Sequence, residues 1–412
     1  MSVWTFETAS CYTGGMKFLQ TSDWHLGKMF FGQSLFDDQA FFLQQVSEEL
    51  AKAQEGGSPY DALIIPGDIY DRAVPPAESV SQLGTFLSDL HRRFPQLHIF
   101  MLSGNHDSSE RLSFAKDILA QENIHLCTDT KHITEPVIVA GIAIYQLPFL
   151  NSGSIEPDSG TDSPPLRSQQ DLVAAACSRI SAAHQQQHPE QPALLCAHLF
   201  AAGSKEKPES ERSYVGTADQ VGTAAFDAFA YTALGHLHSF IHAGPHAYYS
   251  GAPLCYSFDE AGTKKYLLSV TIEKNGAYTM EKLPVKALHR CTVITDSMNA
   301  LLSSDAYSIY REDYIQAVCT DTETIENPLL KLRSRFPHIL SFTYAKQYGA
   351  LQEASSVSRR RAILSSGGED SQEKIFTSFL QDLYGEAYLT ENEGLVKDEV
   401  SLYLKYAKSC ED

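Results

Sequence analysis

MKFLQTSDWH, residues 16–25, decides how the rest of the chain is read. An apolar run of strand length ends in polar residues and delivers Asp23 and His25. On extended chain alternate residues project the same way, so these two side chains can reach one ion. The same phrase recurs four times. DALIIP (61–66) leads into Gly67-Asp68-Ile69-Tyr70-Asp71, and LHIFMLS (97–103) leads into Gly104-Asn105-His106-Asp107. ALLCA (193–197) delivers His198, and FAYTAL (229–234) delivers Gly235-His236-Leu237-His238. Helical patterns separate the first three blocks. One spans 36–55, with Phe41, Phe42, Val46 and Leu50 near helical spacing, and Gly56-Gly57-Ser58-Pro59 ends it. The other spans 76–93. This β-α-β-α-β alternation argues for an α/β layered fold. In such folds functional groups gather at the carboxyl ends of strands, which is where each block falls.

The pattern continues downstream. An apolar run at 137–147 turns at Gly141, residues 151–168 read as a loop, and a helix is expected over 169–186. Segments 246–258 and 264–272 are expected as strands closing a second sheet. The character changes near residue 288. Residues 289–350 read as a separate α/β unit of strand, helix, strand, helix, strand. Residues 351–373, rich in Ser, Arg, Gly and Glu, read as a linker. Residues 374–412 read as helical, with an apolar stripe of Ile375, Phe376, Phe379, Leu380, Leu383 and Tyr384. Residues 1–15 precede a second Met and are expected to be a dispensable leader.

Composition sets the bounds. The 412 residues suffice for two or three domains. No apolar stretch approaches the roughly 20 residues of a membrane span, and the start does not read as a secretion signal. The eight Cys are scattered without a Cys-x-x-Cys, so neither a disulfide framework nor a zinc ribbon is expected. A cytoplasmic setting is the simplest. With 32 Lys and Arg against 51 Asp and Glu, the net charge is −19. That counts against nucleic-acid binding by overall field alone. Bound divalent ions, a partner subunit, or the local clusters Arg92-Arg93 and Arg359-Arg360-Arg361 would offset it.

The residue types define the chemistry. Asp23, His25, Asp68, Asn105, His198, His236 and His238 supply carboxylate, amide and imidazole donors enough for two divalent ions. Asp68 is able to bridge them. Mixed oxygen and nitrogen donors suit Mn²⁺, Fe²⁺ or Zn²⁺ better than Mg²⁺ alone. Two ions about 3.5–4 Å apart activate water and stabilise an in-line displacement at phosphorus. His106 need not bind metal and is expected to act on the phosphate or the leaving oxygen. Asp71 orients His106 or a ligand, or caps the segment after it.

These blocks resemble the calcineurin-like metallophosphoesterase superfamily. MKFLQTSDWHLGK, Phe36-Asp37-Asp38-Gln39, GDIYDRAVPP, LSGNHDS, GHLH and YYSGAPLCYSFDE resemble, more closely, the nuclease subunits of SbcCD-type complexes within it. The resemblance is dense over 16–260, looser over 289–345 and slight in the tail. It implies a four-layer metallophosphoesterase β-sandwich flanked by helices over 16–288, a small α/β DNA-capping domain, and a C-terminal helical segment that docks on an SbcC-type coiled-coil ATPase. It implies one metal at Asp23, His25, Asp68 and His238 and a second at Asp68, Asn105, His198 and His236, with His106 as catalytic histidine. Archaeal and eukaryotic relatives often have His where Asp71 stands, so a catalytic Asp71 follows less directly. The implied activity is Mn²⁺-dependent 3′→5′ exonuclease action on double-stranded DNA ends, with endonuclease cleavage of single strands and hairpins. A homodimer within a heterotetramer is implied as well. Two other readings stay open from the residues: a phosphoesterase acting on nucleotides or cyclic nucleotides, and a non-catalytic scaffold for an ATPase. The second gives no reason to keep eight costly polar groups together.

Overall fold

Strands that are apolar on both faces need cover on both faces, and their side chains must alternate between two interiors. The computed structural model describes residues 14–156, 166–201 and 220–346, and shows this division. In β1 (Met16–Gln20), Met16 and Phe18 enter one core while Leu19 enters another. After the hairpin β2 (Met29–Phe30) and β3 (Gln33–Ser34) comes helix α1 (Phe36–Glu55). In β4 (Ala62–Ile65), Ala62 and Ile64 face one way, and Leu63 and Ile65 the other. Helix α2 (Ala77–Arg93) leads to β5 (His98–Leu102), where Phe100 and Leu102 alternate with Ile99 and Met101. Short helices α3 (Ser109–Leu112) and α4 (Lys116–Gln121) precede β6 (Ile124–Cys127).

The second half repeats the scheme. Strands β7 (Val137–Val139) and β8 (Ile142–Leu147) form a hairpin. Helix α5 (Gln169–Gln187) starts with a capping box between Ser168 and Asp171, which satisfies first-turn amides. Then come β9 (Ala193–His198), β10 (Tyr231–Gly235), β11 (Ile241–Gly244) and β12 (Ala247–Tyr249). In β9, Leu194 and Cys196 share the first half's inner core, while Leu195 and Ala197 face the α5 side.

Three apolar interiors therefore separate four layers: helices, sheet, sheet, helix. The first sheet has the order β14-β13-β1-β4-β5-β6 and the second β11-β12-β10-β9-β8-β7. Strands β13 (Tyr266–Ile272) and β14 (Tyr278–Pro284) form a hairpin on the outer edge of the first. The central strands are parallel in both sheets, so their carboxyl ends point the same way within each sheet. Phe18 and Phe100, fully buried between the sheets, each contribute roughly 2–3 kcal/mol by burial.

Two expectations need correction. The 264–272 strand does not close the second sheet: β13 pairs antiparallel with β1, Met16 opposite Ile272 and Gln20 opposite Leu268. Of the expected strand 246–258, only Ala247–Tyr249 is extended in a sheet. The rest forms a loop, whose Ala252 amide bonds the His238 carbonyl, and a single 3₁₀ turn, Phe258–Glu260.

Beyond β14 a three-stranded sheet, Cys291–Asp296, Tyr314–Cys319 and Ile339–Tyr344, alternates with helices Met298–Ser303 and Pro328–Arg333. Contacts divide the described residues into two compact units. One comprises 14–293, 307–316 and 333–341, and the other 294–306, 317–332 and 342–346. The division thus begins a few residues after the expected boundary at 288, and stretches of the later segment belong to the first unit. The expected linker 351–373, the helical segment 374–412, Arg359-Arg360-Arg361 and residues 1–13 of the leader lie outside the described residues.

Candidate metal centre

All five blocks converge within the first unit, at the carboxyl ends of β1, β4, β5, β9 and β10. Four of the candidate ligands stand in backbone that L-residues rarely adopt: φ is +54° at Asp23, +45° at His25, +48° at Asp68 and +110° at His236. Such strain persists only where the surroundings enforce it, and it clusters at functional sites.

The surroundings are close-packed polar contacts. The His236 amide donates to Asp23 Oδ1 (2.9 Å), joining the two sheets. Ser22 donates to Asp23 Oδ2 (2.6 Å). Gln39, from the Phe36-Asp37-Asp38-Gln39 helix start, donates to the His25 carbonyl (2.7 Å) and accepts from the Gly27 amide (3.1 Å). Two glycines are dictated by approach. A Cβ at Gly104 would lie 2.1 Å from Asp68 Oδ1, and one at Gly67 would lie 2.3 Å from His198 Nδ1.

Two ligand groups result. Donor atoms of Asp23, His25 and His238 lie within 4.8 Å of one another, as do those of Asp68, His198 and His236. Asp68 Oδ2 stands between the groups, 3.7 Å from His25 Nε2 and 3.5 Å from His198 Nε2. Asn105 Oδ1 completes the second, 3.0 Å from His198 Nε2 and 3.1 Å from His236 Nδ1. All seven candidate metal residues are thus brought together.

The donor chemistry fits cations. His198 Nδ1 donates to the Pro66 carbonyl (2.8 Å), which leaves an Nε2 lone pair against the Asn105 oxygen. His238 Nδ1 faces the Glu260 carboxylate (3.4 Å), which leaves its Nε2 lone pair 3.2 Å from His25 Nε2. Burial, then the neighbouring His238, pushes His25 well below the usual imidazole range, and burial also lowers His198. With its proton on Nδ1, towards Asp71, His25 too would present an Nε2 lone pair, and two lone pairs so placed are met by a cation between them. Burial and the nearby Asp68 carboxylate push Asp23 well up. Bound there, two divalent ions would lower the pKa of a water molecule and hold a phosphoryl group from both sides.

His106 and Asp71 lie at the margin of this centre. The His106 ring stands edge-on to His25, centroids 4.8 Å apart. Its amide donates to Asp68 Oδ1 (3.0 Å), and its Nδ1 donates to the backbone carbonyl of Asp71 (3.0 Å). The Asp71 carboxylate does not make that contact. It pairs with Lys28 (2.6 Å) and lies 3.7 Å from His25 Nδ1. His25, Asp71 and His106 also group their donor atoms within 4.8 Å.

Sequence reasoning assigned no role to Asp107 or Glu260. The Asp107 carboxylate accepts from the amides of Gly104 (2.9 Å), Ile69 (3.1 Å) and Tyr70 (2.9 Å), tying two motif loops into one piece. Burial, then Asp68, pushes its carboxyl up to about 7. Burial opposes ionisation of Glu260, but Lys265 and His238 together outweigh it and hold the carboxyl at about 2. Arg92 and Arg93, offered as phosphate contacts, both pair with Asp89 on the exposed end of α2.

Residues 16–179 match the family model of calcineurin-like phosphoesterases, so this stretch carries a domain of that class. The mixed α/β fold is consistent with that of a metallophosphoesterase, and the paired ligand groups suit a hydrolase of phosphoesters. Solved structures similar to the chain include a protein from Staphylococcus aureus assigned as a 5′-nucleotidase, in complex with alpha-ketoglutarate. It is 14% identical, over 78% of this chain and 58% of that one, with a TM-score of 0.36. The chain thus spans little more than half of that protein. Among the described residues no helix is long and apolar enough to cross a membrane.

Proposed function

We propose that the chain is the nuclease subunit of an SbcCD-type complex and hydrolyses DNA phosphodiesters at a two-ion centre, with Mn²⁺ as the ion. The observation that carries the hydrolytic part is Asp68 Oδ2, held within 4 Å of an imidazole of each ligand group. The DNA part is supported by the dense run of motifs from MKFLQTSDWHLGK to YYSGAPLCYSFDE, and by the further α/β sheet after β14, which a small-substrate phosphoesterase does not need.

In this reading Asp23, His25, Asp68 and His238 hold one ion, and Asp68, Asn105, His198 and His236 the other. His106 keeps Nε2 directed away from the Asp71 carbonyl, which its Nδ1 occupies, and that nitrogen serves the phosphate or the leaving oxygen. Asp71 acts on the far side of His25, with Lys28 fixing its carboxylate. Residues 374–412 dock on an SbcC-type ATPase, which supplies DNA affinity that a chain of net charge −19 lacks. A homodimer within a heterotetramer in the cytoplasm completes the proposal.

The test is digestion of a labelled blunt duplex and a hairpin with Mn²⁺, with and without the ATPase and ATP, and with Asp68→Ala as control. Cleavage that needs Asp68 and responds to ATP through the partner supports the proposal. Hydrolysis of nucleotides or a generic phosphodiester without DNA cleavage would replace it with a nucleotide phosphoesterase. Deletion of 374–412 is expected to abolish ATPase association while phosphodiester turnover survives. A truncated chain that still co-purifies with the ATPase overturns the docking assignment.

A further inference from the structure

Glu260 is a buried carboxylate, 2% exposed, that the hydrolytic reading does not use. It ends the 3₁₀ turn in the loop that fails to become a strand, and its two oxygens face different partners. Oε2 takes the ammonium of Lys265 in a tight ion pair. Oε1 faces His238 Nδ1 at 3.4 Å and accepts from the Tyr256 amide at 3.3 Å. Lys265, 9% exposed, also donates to the His238 carbonyl at 3.0 Å. One ion pair therefore grips His238 by ring and by backbone. The Tyr256 ring stands edge-on to both His238 (5.4 Å) and His25 (5.2 Å).

A buried ion pair is a poor stabiliser, since matched apolar side chains often serve as well or better. Its placement against a ligand histidine points elsewhere. His198 offers the contrast: its Nδ1 is met by a neutral carbonyl, that of Pro66.

We propose that Glu260, fixed by Lys265, is a positioning residue that holds His238 in its Nδ1–H form and aims the Nε2 lone pair at the ion shared with Asp23 and His25. This rests on the two-ion reading of the centre. A carboxylate behind a ligand imidazole locks the ring and strengthens its donor nitrogen, and its loss typically costs 10- to 100-fold in metal affinity. The effect falls on one ion of the two.

The experiment titrates Mn²⁺ calorimetrically into the full chain, wild type and variants, with the Tm of each metal-free protein measured alongside. Glu260→Gln removes the charge but leaves Lys265 buried without its partner. The pair variant Glu260→Gln/Lys265→Met keeps the shape and removes both charges. Two ions are expected on wild type. The pair variant is expected to keep a near-wild-type Tm while one of its two ions binds roughly 10- to 100-fold more weakly. A pair variant that binds both ions as tightly as wild type reduces Glu260 to a structural residue and overturns the proposal. A wild-type chain that takes up fewer than two ions overturns the reading of the centre, and the positioning role with it.

Discussion

In two pairs of imidazoles, ring nitrogens approach within 3.2 Å of each other, and the surroundings of the pairs differ. At the edge of the first sheet, His98 Nδ1 lies 3.0 Å from His125 Nε2, the rings stacked 7° from parallel with centroids 5.3 Å apart. In the centre, His25 Nε2 lies 3.2 Å from His238 Nε2. The edge pair can share one proton, since Nδ1 of one ring meets Nε2 of the other. Phe100 stacks on His125, and Asp61 acts on His98 alone. The central pair is flanked by Asp23, Asp68, Asp71 and Glu260, and the ring proton of His238 is directed to Glu260. Proximity of histidines does not make a metal site. Carboxylates that leave the lone pairs facing inward do.

The largest effect expected from this contrast is that of Asp68→Ala. It removes the one oxygen placed between both groups, so uptake of both ions should weaken and kcat should fall about 10³-fold or more. Variant protein that still binds two Mn²⁺ ions would break the comparison. Gly104→Ala should come next. Its Cβ overlaps the Asp68 carboxylate and amide, so ion affinity and Tm should drop together. His106→Ala sharpens the contrast from within the centre. Its loss should leave two-ion binding near wild type and cost about 10²-fold in turnover; retained turnover would remove its catalytic role.

The smallest effect lies at the edge pair. Burial, then His98, lowers His125 to about 4, while its unfolded value is near 6.5. Between those values the unfolded chain binds a proton that the folded chain refuses. Stability from this source is complete above about pH 6.5 and is lost as pH falls towards 4. His125→Phe should flatten the Tm profile across that window and leave Mn²⁺ uptake unchanged. An unaltered acid limb would show that His125 is not held neutral by the fold.

Much of this architecture was legible because strands buried on both faces carry uninterrupted apolar runs, and each run here ends in a polar block. ALII at 62–65 and HIFML at 98–102 admit no other placement. Strand 266–272 was placed in the wrong sheet for a definable reason. Its alternation shows that one face is less buried, but a lone strand does not encode which edge it joins. Segment 250–258 was misread because its apolar residues fill space around the histidines. Ala252 N bonds the His238 carbonyl and Tyr256 N bonds Glu260, so the strand ladder never forms. At the site, the ligands could be read from residue type and position after a strand. Asp107 and Glu260 could not, because a carboxylate that accepts amides or steadies a ring has no characteristic spacing.

The bond from the His236 amide to Asp23 joins residues 213 apart in the chain, as does the contact between His25 and His238. Closing a loop of that length is slow, and helices and local strand pairs form long before it. Competence to bind metal should therefore be among the last properties to return when the denatured chain is refolded. Stopped-flow refolding should show the far-ultraviolet signal recovering ahead of Mn²⁺ uptake. A newly made chain would then pass through a period in which it is ordered but unable to hold its metal ions, and a hydrolase that arms itself only after its final long-range closure does not act on its way to being finished.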